Sequence, residues 1–192
     1  MADALSEGIV FAYLEHEIIA VVGSNRGQQH LWLWLTKKPE RMAEFAQWVQ
    51  KRGKIWPDNL VAMTSVTGAN THHRAKKLRT VPARFRGLSV EPLWGEVELP
   101  LEGIDWCIVG GQSGPGSTPF DLSWARRIQK QCKKAGTAFS VKQLGARPVD
   151  RGRELTLKDK HGRDWHEWPA DLRVREMPPG FYDLRVEAMG KA

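Results

Sequence analysis

Short apolar runs alternate with longer amphipathic segments along most of this chain. The short runs are typical of buried strands, whereas the longer segments have their apolar residues at helical spacing. The alternation recurs at intervals of roughly 25–30 residues, which is typical of βα units that build a parallel sheet. The pattern predicts strands over residues 31–35, 60–66, 85–90, 104–109 and 137–141, and helices over residues 5–22, 36–52, 68–78 and 121–134.

The polar residues of this pattern cluster just after the predicted strands. In barrels and open α/β sheets, the carboxyl ends of the strands build the functional face. Since about five strands are too few for a closed barrel of roughly eight, we predict an α/β fold in the form of a partial, open parallel βα barrel. The alternation stops after Gly145. We therefore predict a barrel domain over residues 1–145 and an irregular C-terminal tail over residues 146–192, which packs on the domain or on a partner.

The composition fits one globular domain, because the chain has 192 residues of which 41% are hydrophobic. The N-terminal apolar stretch, Ile9 to Val22, is interrupted by Glu15-His16-Glu17, which excludes a plain transmembrane span. No basic region precedes that stretch as it does in a signal peptide. We predict a cytoplasmic protein without a membrane partner, whose two cysteines, Cys107 and Cys132, are reduced and partly buried.

The formal net charge of +7 is concentrated around two segments that contain no acidic residue, 59–90 and 122–149. Such segments form a positive face, which attracts an acidic protein surface, a nucleoprotein complex, RNA or DNA. The alternative is that these basic faces are solvated and only keep the protein in solution. The candidate partner-binding residues are Arg74, Lys76, Lys77, Arg79, Arg84, Arg126, Arg127 and Lys130.

A second group of candidate residues follows the strand ends, centred on the glycine-rich turn after the apolar run 104–109. A strand that leads through such a turn into a helix is a common ligand site in α/β proteins, because glycine lets the backbone approach the ligand. The alternatives are that the glycines serve a tight turn and that Glu91 forms a structural salt bridge with Lys142 or Lys37. The candidate ligand-binding residues are Lys37, Ser65, Glu91, Gly110, Gly111, Gln112, Ser113, Gly114, Lys142 and Gln143.

No spacing in the sequence predicts a catalytic residue or a metal site. The chain has no Ser/His/Asp order, no phosphate loop and no zinc-ligand spacing. His72 and His73 are adjacent on a predicted helix, so they point about 100° apart and cannot face one metal ion.

Four of the strand ends carry sequence that occurs in the same order in one known family. Over residues 10–178 the chain resembles an uncharacterised phage and mobile-element protein family, whose members look like radical S-adenosylmethionine (SAM) enzymes. The segments that carry the resemblance are LTKKPERM (35–42), LSVEPLWG (88–95), DWCIVGGQSGP (105–115), VKQLG (141–145) and, near the end, GRDWHEWP (162–169).

The resemblance implies a barrel that binds SAM beside a four-iron cluster held by cysteines. Members of that family carry the cluster cysteines in a preceding segment, and two cysteines 25 positions apart cannot replace them. The family often has Glu at the position of Gln112, and it has a more polar stretch at the position of Gly68 and Ala69. These departures lead us to expect no iron–sulfur cluster and no other cofactor, with SAM binding left open.

Three explanations fit these departures: a truncation, a fragment that needs another subunit, or a natural short paralogue, which the start at Met1 favours. We therefore expect a catalytically degenerate phage or mobile-element accessory protein that binds a negatively charged protein or nucleoprotein partner. By analogy, it would be a stoichiometric, anti-CRISPR-like inhibitor of host defence. The alternatives are a fragment or subunit of a radical SAM enzyme that acts with a separate iron–sulfur segment, and a simple nucleic-acid-binding protein.

Overall fold

The computed structural model describes residues 3–183 and contains two sheets. The main sheet has five parallel strands in the order β1-β2-β3-β4-β6, and a small second sheet has the order β5-β7-β8. The predicted α/β class and the parallel five-stranded sheet are confirmed, and no closed barrel is seen within the described residues. The strands are β1 (Trp32–Thr36), β2 (Leu60–Ser65), β3 (Arg86–Val90), β4 (Trp106–Gly110), β5 (Phe120–Asp121), β6 (Ala138–Gln143), β7 (Pro148–Asp150) and β8 (Arg153–Glu154).

The helices lie near their predicted positions, but several begin later than the sequence suggests. The predicted helix over 68–78 starts only at His73, because the hydroxyl of Thr71 accepts hydrogen bonds from the backbone N–H groups of Thr67 and Gly68 and holds a turn there. None of the helices within residues 3–183 is long and apolar enough to cross a membrane. The α-helices are α1 (Phe11–Leu14), α2 (Pro39–Lys51), α3 (His73–Leu78) and α4 (Leu122–Ala135), with short 3₁₀ turns at Gly27–Gln29, Trp165–Glu167 and Ala170–Leu172.

The N-terminal helix departs from regular α-helical geometry. After α1 the chain continues as a π-helix over Glu15–Ala20, in which the turn is wider than in an α-helix. Residues about five apart therefore share a face, and Leu14 and Ile19 are both buried. Within the predicted helix over 5–22, Val10 and Val21 stand at the α-helical spacing of the apolar residues, which predicts that they share the buried face, but they are 65% and 44% exposed.

Two apolar clusters cover the two faces of the main sheet. The larger cluster joins one face to α2, α3 and α4, and it contains both free cysteines, which are fully buried. Contact with Cys132, together with burial, raises the pKa of the Cys107 thiol. The opposite face, which we call the inner face, carries a smaller cluster of strand and loop residues: Val61, Met63, Phe85, Trp106, Ala138 and Phe181.

The region predicted as an irregular tail has defined structure up to residue 183, and residues 184–192 lie outside the described part. It contains β7 and β8, and Trp168 is only 2% exposed. Beyond the 3₁₀ turns the chain runs along the outer edge of β6, where the backbone N–H of Val141 donates to the carbonyl of Val174 over 2.9 Å. The second sheet was missed because its strands are too short to show a periodic pattern.

Candidate functional site

Polar residues from three of the five parallel strands lie at the carboxyl edge of the main sheet. Ser65 and Ser89 are register partners on β2 and β3, and both are buried. Glu91 follows β3 directly, and Lys142 and Gln143 end β6. We call these five residues the strand-end cluster. Parallel strands bring their carboxyl ends to one edge, which is how the sequence could predict this grouping.

The carboxylate of Glu91 is held by two partners from β6. Its Oε2 lies 2.9 Å from Nζ of Lys142, and its Oε1 accepts a hydrogen bond from Nε2 of Gln143 over 3.0 Å. The Gln143 amide also donates to the carbonyl of Gly111 over 3.2 Å. The Glu91 side chain is 15% exposed and that of Lys142 is 59% exposed, so the pair sits at the solvent boundary. Of the two salt bridges considered for Glu91, the structure contains the one to Lys142.

Gly110 and Gly111 are required because other protein groups approach them closely. A Cβ on Gly110 would lie 3.1 Å from Cδ of Glu91, and a Cβ on Gly111 would overlap the carbonyl oxygen of Leu144. The glycine pair therefore accommodates Glu91 and the chain after β6. This close packing accounts for both glycines without a ligand.

Two further glycines extend this packing into the C-terminal region. Gly145 has φ +75° and Gly162 has φ +63°, and a Cβ on either residue would overlap backbone atoms of a neighbouring loop. The backbone N–H of Leu144 donates to the carbonyl of Gly162 over 2.9 Å. The loops after β4 and β6 and the loop around Gly162 are thus stacked backbone to backbone. Gly162 was missed as a site residue because only a contact distant in sequence gives it this role.

The rest of the predicted glycine-rich turn is held in shape by hydrogen bonds from its own side chains. Oε1 of Gln112 accepts hydrogen bonds from the hydroxyl and the backbone N–H of Thr118, over 3.2 and 3.4 Å. The hydroxyl of Ser117 donates to the carbonyl of Gly114. Ser113 and Gly114 are half-buried, and Gly114 has φ +98° with open space around its Cβ position. Gln112 is thereby a residue that shapes the turn.

An acidic residue that the sequence did not single out lies at the end of β1. Oδ2 of Asp3 accepts hydrogen bonds from the hydroxyl of Thr36 over 2.7 Å and from the backbone N–H of Lys37 over 2.9 Å. Burial alone would raise the pKa of Asp3, but hydrogen bonds from Leu5, Thr36 and Lys37 lower it below its usual value. The Lys37 side chain is exposed, and Asp3 fixes only its backbone.

The chain belongs to the family described as DUF5131, a protein of unknown function. The family model matches residues 1–169. No curated protein and no solved structure matches the chain. Since the family description states no activity, the phage origin and the radical SAM relationship remain proposals.

The basic residues predicted to bind a partner fall into two groups in this DUF5131 protein. Several are held by protein groups: Nη1 of Arg74 donates to the carbonyl of Ser65 over 3.0 Å, Arg79 pairs with Glu102 and Arg127 pairs with Glu96. Arg126 bridges Asp150 and Asp171, and these two carboxylates raise its pKa further above its ordinary value. The other group is exposed and consists of Lys76, Lys77 and Lys130. Arg84 is exposed as well, and its guanidinium carbon lies 5.8 Å from the ring centroid of Phe85.

The residues of this chain do not fit the iron–sulfur cluster that a radical SAM enzyme requires. The sequence has two cysteines, and both lie in the core between the main sheet and the helices. Within residues 3–183, no three His, Cys, Asp or Glu residues group in a way that could hold a metal ion. Such a cluster needs more thiolates than this chain contains.

Proposed function

We propose that this protein acts by binding a negatively charged protein or nucleoprotein partner, and that exposed lysines on α3 and α4 make the contact. The observation that carries the proposal is the exposure of three lysines without an acidic partner among residues 3–183: Lys76, Lys77 and Lys130. All three are exposed, and none forms an ion pair in the part of the chain that the structure describes. Cations of this kind attract an anionic partner over a distance set by the ionic strength.

The proposed contact surface is narrower than the charge pattern of the sequence suggests. The loop between β3 and β4 brings acidic residues to the space between α3 and α4, where Glu96 and Glu102 pair with arginines. A groove there is lined by His72, Glu98 and Arg127, among others. The acidic side chains therefore limit the positive surface to the exposed lysines on the two helices, which attract an anionic partner or probe.

The strand-end cluster supports binding over catalysis by this chain alone. Both carboxylate oxygens of Glu91 are engaged, one by Lys142 and one by Gln143. A general acid or base must instead reach a substrate proton at hydrogen-bond distance. The arrangement of Glu91 is that of a structural ion pair, which joins β6 to the end of β3.

The wider biological setting is part of the same proposal. The motif order resembles phage and mobile-element proteins, and small proteins of such elements often act by occupying a host complex. We propose that this protein has a partial βα barrel and inhibits a host defence complex stoichiometrically. Inhibition should then titrate near one protein per target site, whereas a catalyst would act at far lower ratios.

The second candidate function is ligand binding as a subunit of a radical SAM enzyme whose cluster lies on another segment. The observation in its favour is that Ser65, Ser89 and Glu91 lie at the carboxyl edge of a parallel sheet, where α/β proteins bind ligands. Isothermal titration of the chain with SAM tests this candidate. Micromolar binding that Glu91→Ala abolishes would support it.

Charge reversal on α3 tests the main proposal. The probes are labelled poly-L-glutamate and a labelled DNA duplex, which represent the protein and nucleoprotein surfaces. Lys76→Glu/Lys77→Glu should weaken binding by about tenfold or more, since each screened contact contributes roughly 0.5–1 kcal/mol and reversal adds repulsion. The matched control is Arg26→Glu/Lys51→Glu, which changes the net charge equally on other exposed elements.

Two results would contradict the proposal. Equal losses in the α3 variant and its control would show a nonspecific charge effect. Binding of both probes that does not change between about 50 and 200 mM salt would exclude an electrostatic contact surface.

A further inference from the structure

The hairpin between β7 and β8 has an arginine where the backbone favours glycine or asparagine. Its two turn residues are Arg151, with φ 51°, and Gly152, with φ 76°. Positive φ at both positions defines the tight hairpin turn for which Asn-Gly is the preferred sequence. Arg151 is the one non-glycine residue with positive φ among residues 3–183. An arginine held in this conformation at an exposed tip suggests a use for its side chain.

The acidic side chains that follow the hairpin are engaged by backbone donors. The Asp159 carboxylate accepts hydrogen bonds from the backbone N–H groups of His161, Arg163 and Asp164, over 2.6–3.1 Å. These hydrogen bonds lower the pKa of Asp159 below its ordinary value. The Glu167 carboxylate accepts from two further backbone N–H groups, over 2.7 and 3.0 Å. These carboxylates therefore face the protein, and they hold the loop in shape.

The basic side chains of the same segment face solvent. All are exposed, and none forms an ion pair within the described residues. We call them the hairpin-loop cations: Arg151, Arg153, Lys158, Lys160 and Arg163. Arg151 lies close enough to Asp150 and Asp171 that its charge, after the larger effect of Arg126, lowers their pKa values.

The hairpin and the loop are anchored at both ends. Nη1 of Arg126 donates to Oδ1 of Asp150, the last residue of β7, over 2.5 Å. Gly162 packs against Gly145, and its carbonyl accepts a hydrogen bond from Nε1 of Trp168 over 3.0 Å. A partner therefore meets cations on an ordered backbone, which lowers the entropy cost of binding.

We propose that residues 151–163 form a nucleic-acid-binding surface whose hairpin-loop cations contact phosphate groups. This surface differs from the one on α3 and α4, so the inference does not depend on the proposed function above. Arginine guanidinium groups match phosphate geometry, and positioning contacts to the phosphates dominate nucleic-acid affinity.

A protein partner fits this segment less well. Protein interfaces depend on a buried apolar or aromatic centre. The apolar residues of the segment, Leu155 and Leu157, are partly buried and pack against the main core. None of the large exposed apolar side chains of the described residues lies in 151–163. The segment thus offers charge without an apolar anchor.

The test measures binding of labelled single-stranded DNA, duplex DNA and single-stranded RNA by fluorescence anisotropy, using the full chain. We expect Arg151→Asn/Arg153→Gln and Lys158→Gln/Lys160→Gln each to weaken binding about five- to thirtyfold. The slope of log affinity against log salt should fall by about one for each phosphate contact removed. The matched control is Arg26→Gln/Lys51→Gln, and the Lys76→Glu/Lys77→Glu variant separates this surface from that of the proposed function.

The single variant Arg151→Asn separates a binding role from a structural one. Asparagine tolerates positive φ better than arginine, so the melting temperature should rise by up to about 2–4 °C while nucleic-acid affinity falls. A rise in melting temperature with unchanged affinity would overturn the proposal. So would the absence of nucleic-acid binding at about 50 mM salt, equal losses in the control, or binding of poly-L-glutamate alone through the same residues.

Discussion

Glu91 and Lys142 join the ends of two strands that are not neighbours in the sheet, with 2.9 Å between Oε2 and Nζ. β4 lies between them, and it ends in Gly110, whose missing side chain leaves room for the Glu91 carboxylate to pass. The ion pair, the Gln143 amide and the glycine therefore form one structural unit. Its polar groups lie where an α/β enzyme would place its ligand contacts, but they bind one another.

Replacing the two charged partners should have unequal effects on stability. Glu91→Ala removes one of the two acceptors of the buried Gln143 amide, the other being the Gly111 carbonyl, so it should lower the free energy of unfolding by ~1–3 kcal/mol. Lys142→Ala removes a mostly exposed cation, and its cost should stay below ~1 kcal/mol. Urea unfolding of both variants checks the difference. Equal losses would mean that the ion pair, and not the hydrogen bond to Gln143, stabilises this edge.

Substituting the glycines of this edge tests the packing argument. Gly111→Ala places a Cβ against the carbonyl of Leu144, a backbone atom that cannot move aside easily, so we expect a loss of ~1–3 kcal/mol or more. Gly95→Ala is the matched control, because its Cβ would meet nothing within 4 Å. The control should lie within ~0.5 kcal/mol of the parent. A tolerated Gly111→Ala would argue that the glycine pair is kept for a ligand.

The sequence could predict those features of the fold and site that depend on local residue pattern and on the topology of a parallel sheet. The five apolar runs identified the main strands, and the rule that parallel strands share a carboxyl edge brought Glu91 and Lys142 together. Asp3 and Gly162 escaped prediction because their roles arise from contacts with residues far along the chain. The exposure of Val10 and Val21 differs from what the apolar spacing predicts, because Val10 is still extended before α1 begins and Val21 follows a π-helix, which has no distinct apolar spacing in the sequence. The pairing of Arg126 with Asp150 and Asp171 likewise depends on how the C-terminal region folds back on α4.

The pairing of Arg126 with Asp150 and Asp171 should make the protein less stable as the pH falls into the acid range. Hydrogen bonds from Arg126 lower the pKa of Asp150 and of Asp171 below the ordinary value of 3.8. A carboxyl whose pKa is lower in the folded state binds its proton more readily when unfolded. Its stabilisation is therefore complete above the ordinary value and is lost as the pH falls through the lower, folded-state value.

The variant Arg126→Met isolates this contribution. It should lower the free energy of unfolding at neutral pH. It should also make that free energy decrease less between about pH 5 and pH 2, because the pKa values of both aspartates are then nearer to their ordinary values. Urea midpoints of parent and variant at several pH values measure the effect. Arg127→Met is the control, since that arginine pairs with the exposed Glu96 and should leave the pH profile unchanged. Parallel profiles for the parent and Arg126→Met would contradict the assignment.

The final prediction concerns the chemistry that the motif order suggests. Cleavage of SAM by a radical enzyme needs an electron from an iron–sulfur cluster, and this chain has two cysteines, both packed in the core. After anaerobic incubation with iron, sulfide and a strong reductant, the chain alone should therefore release no 5′-deoxyadenosine from SAM. Liquid chromatography of the reaction, with an established SAM-cleaving enzyme as positive control, measures this product. Cysteine-free Cys107→Ala/Cys132→Ala protein provides the blank, and product above that blank would show that the chain assembles a cluster and acts as an enzyme.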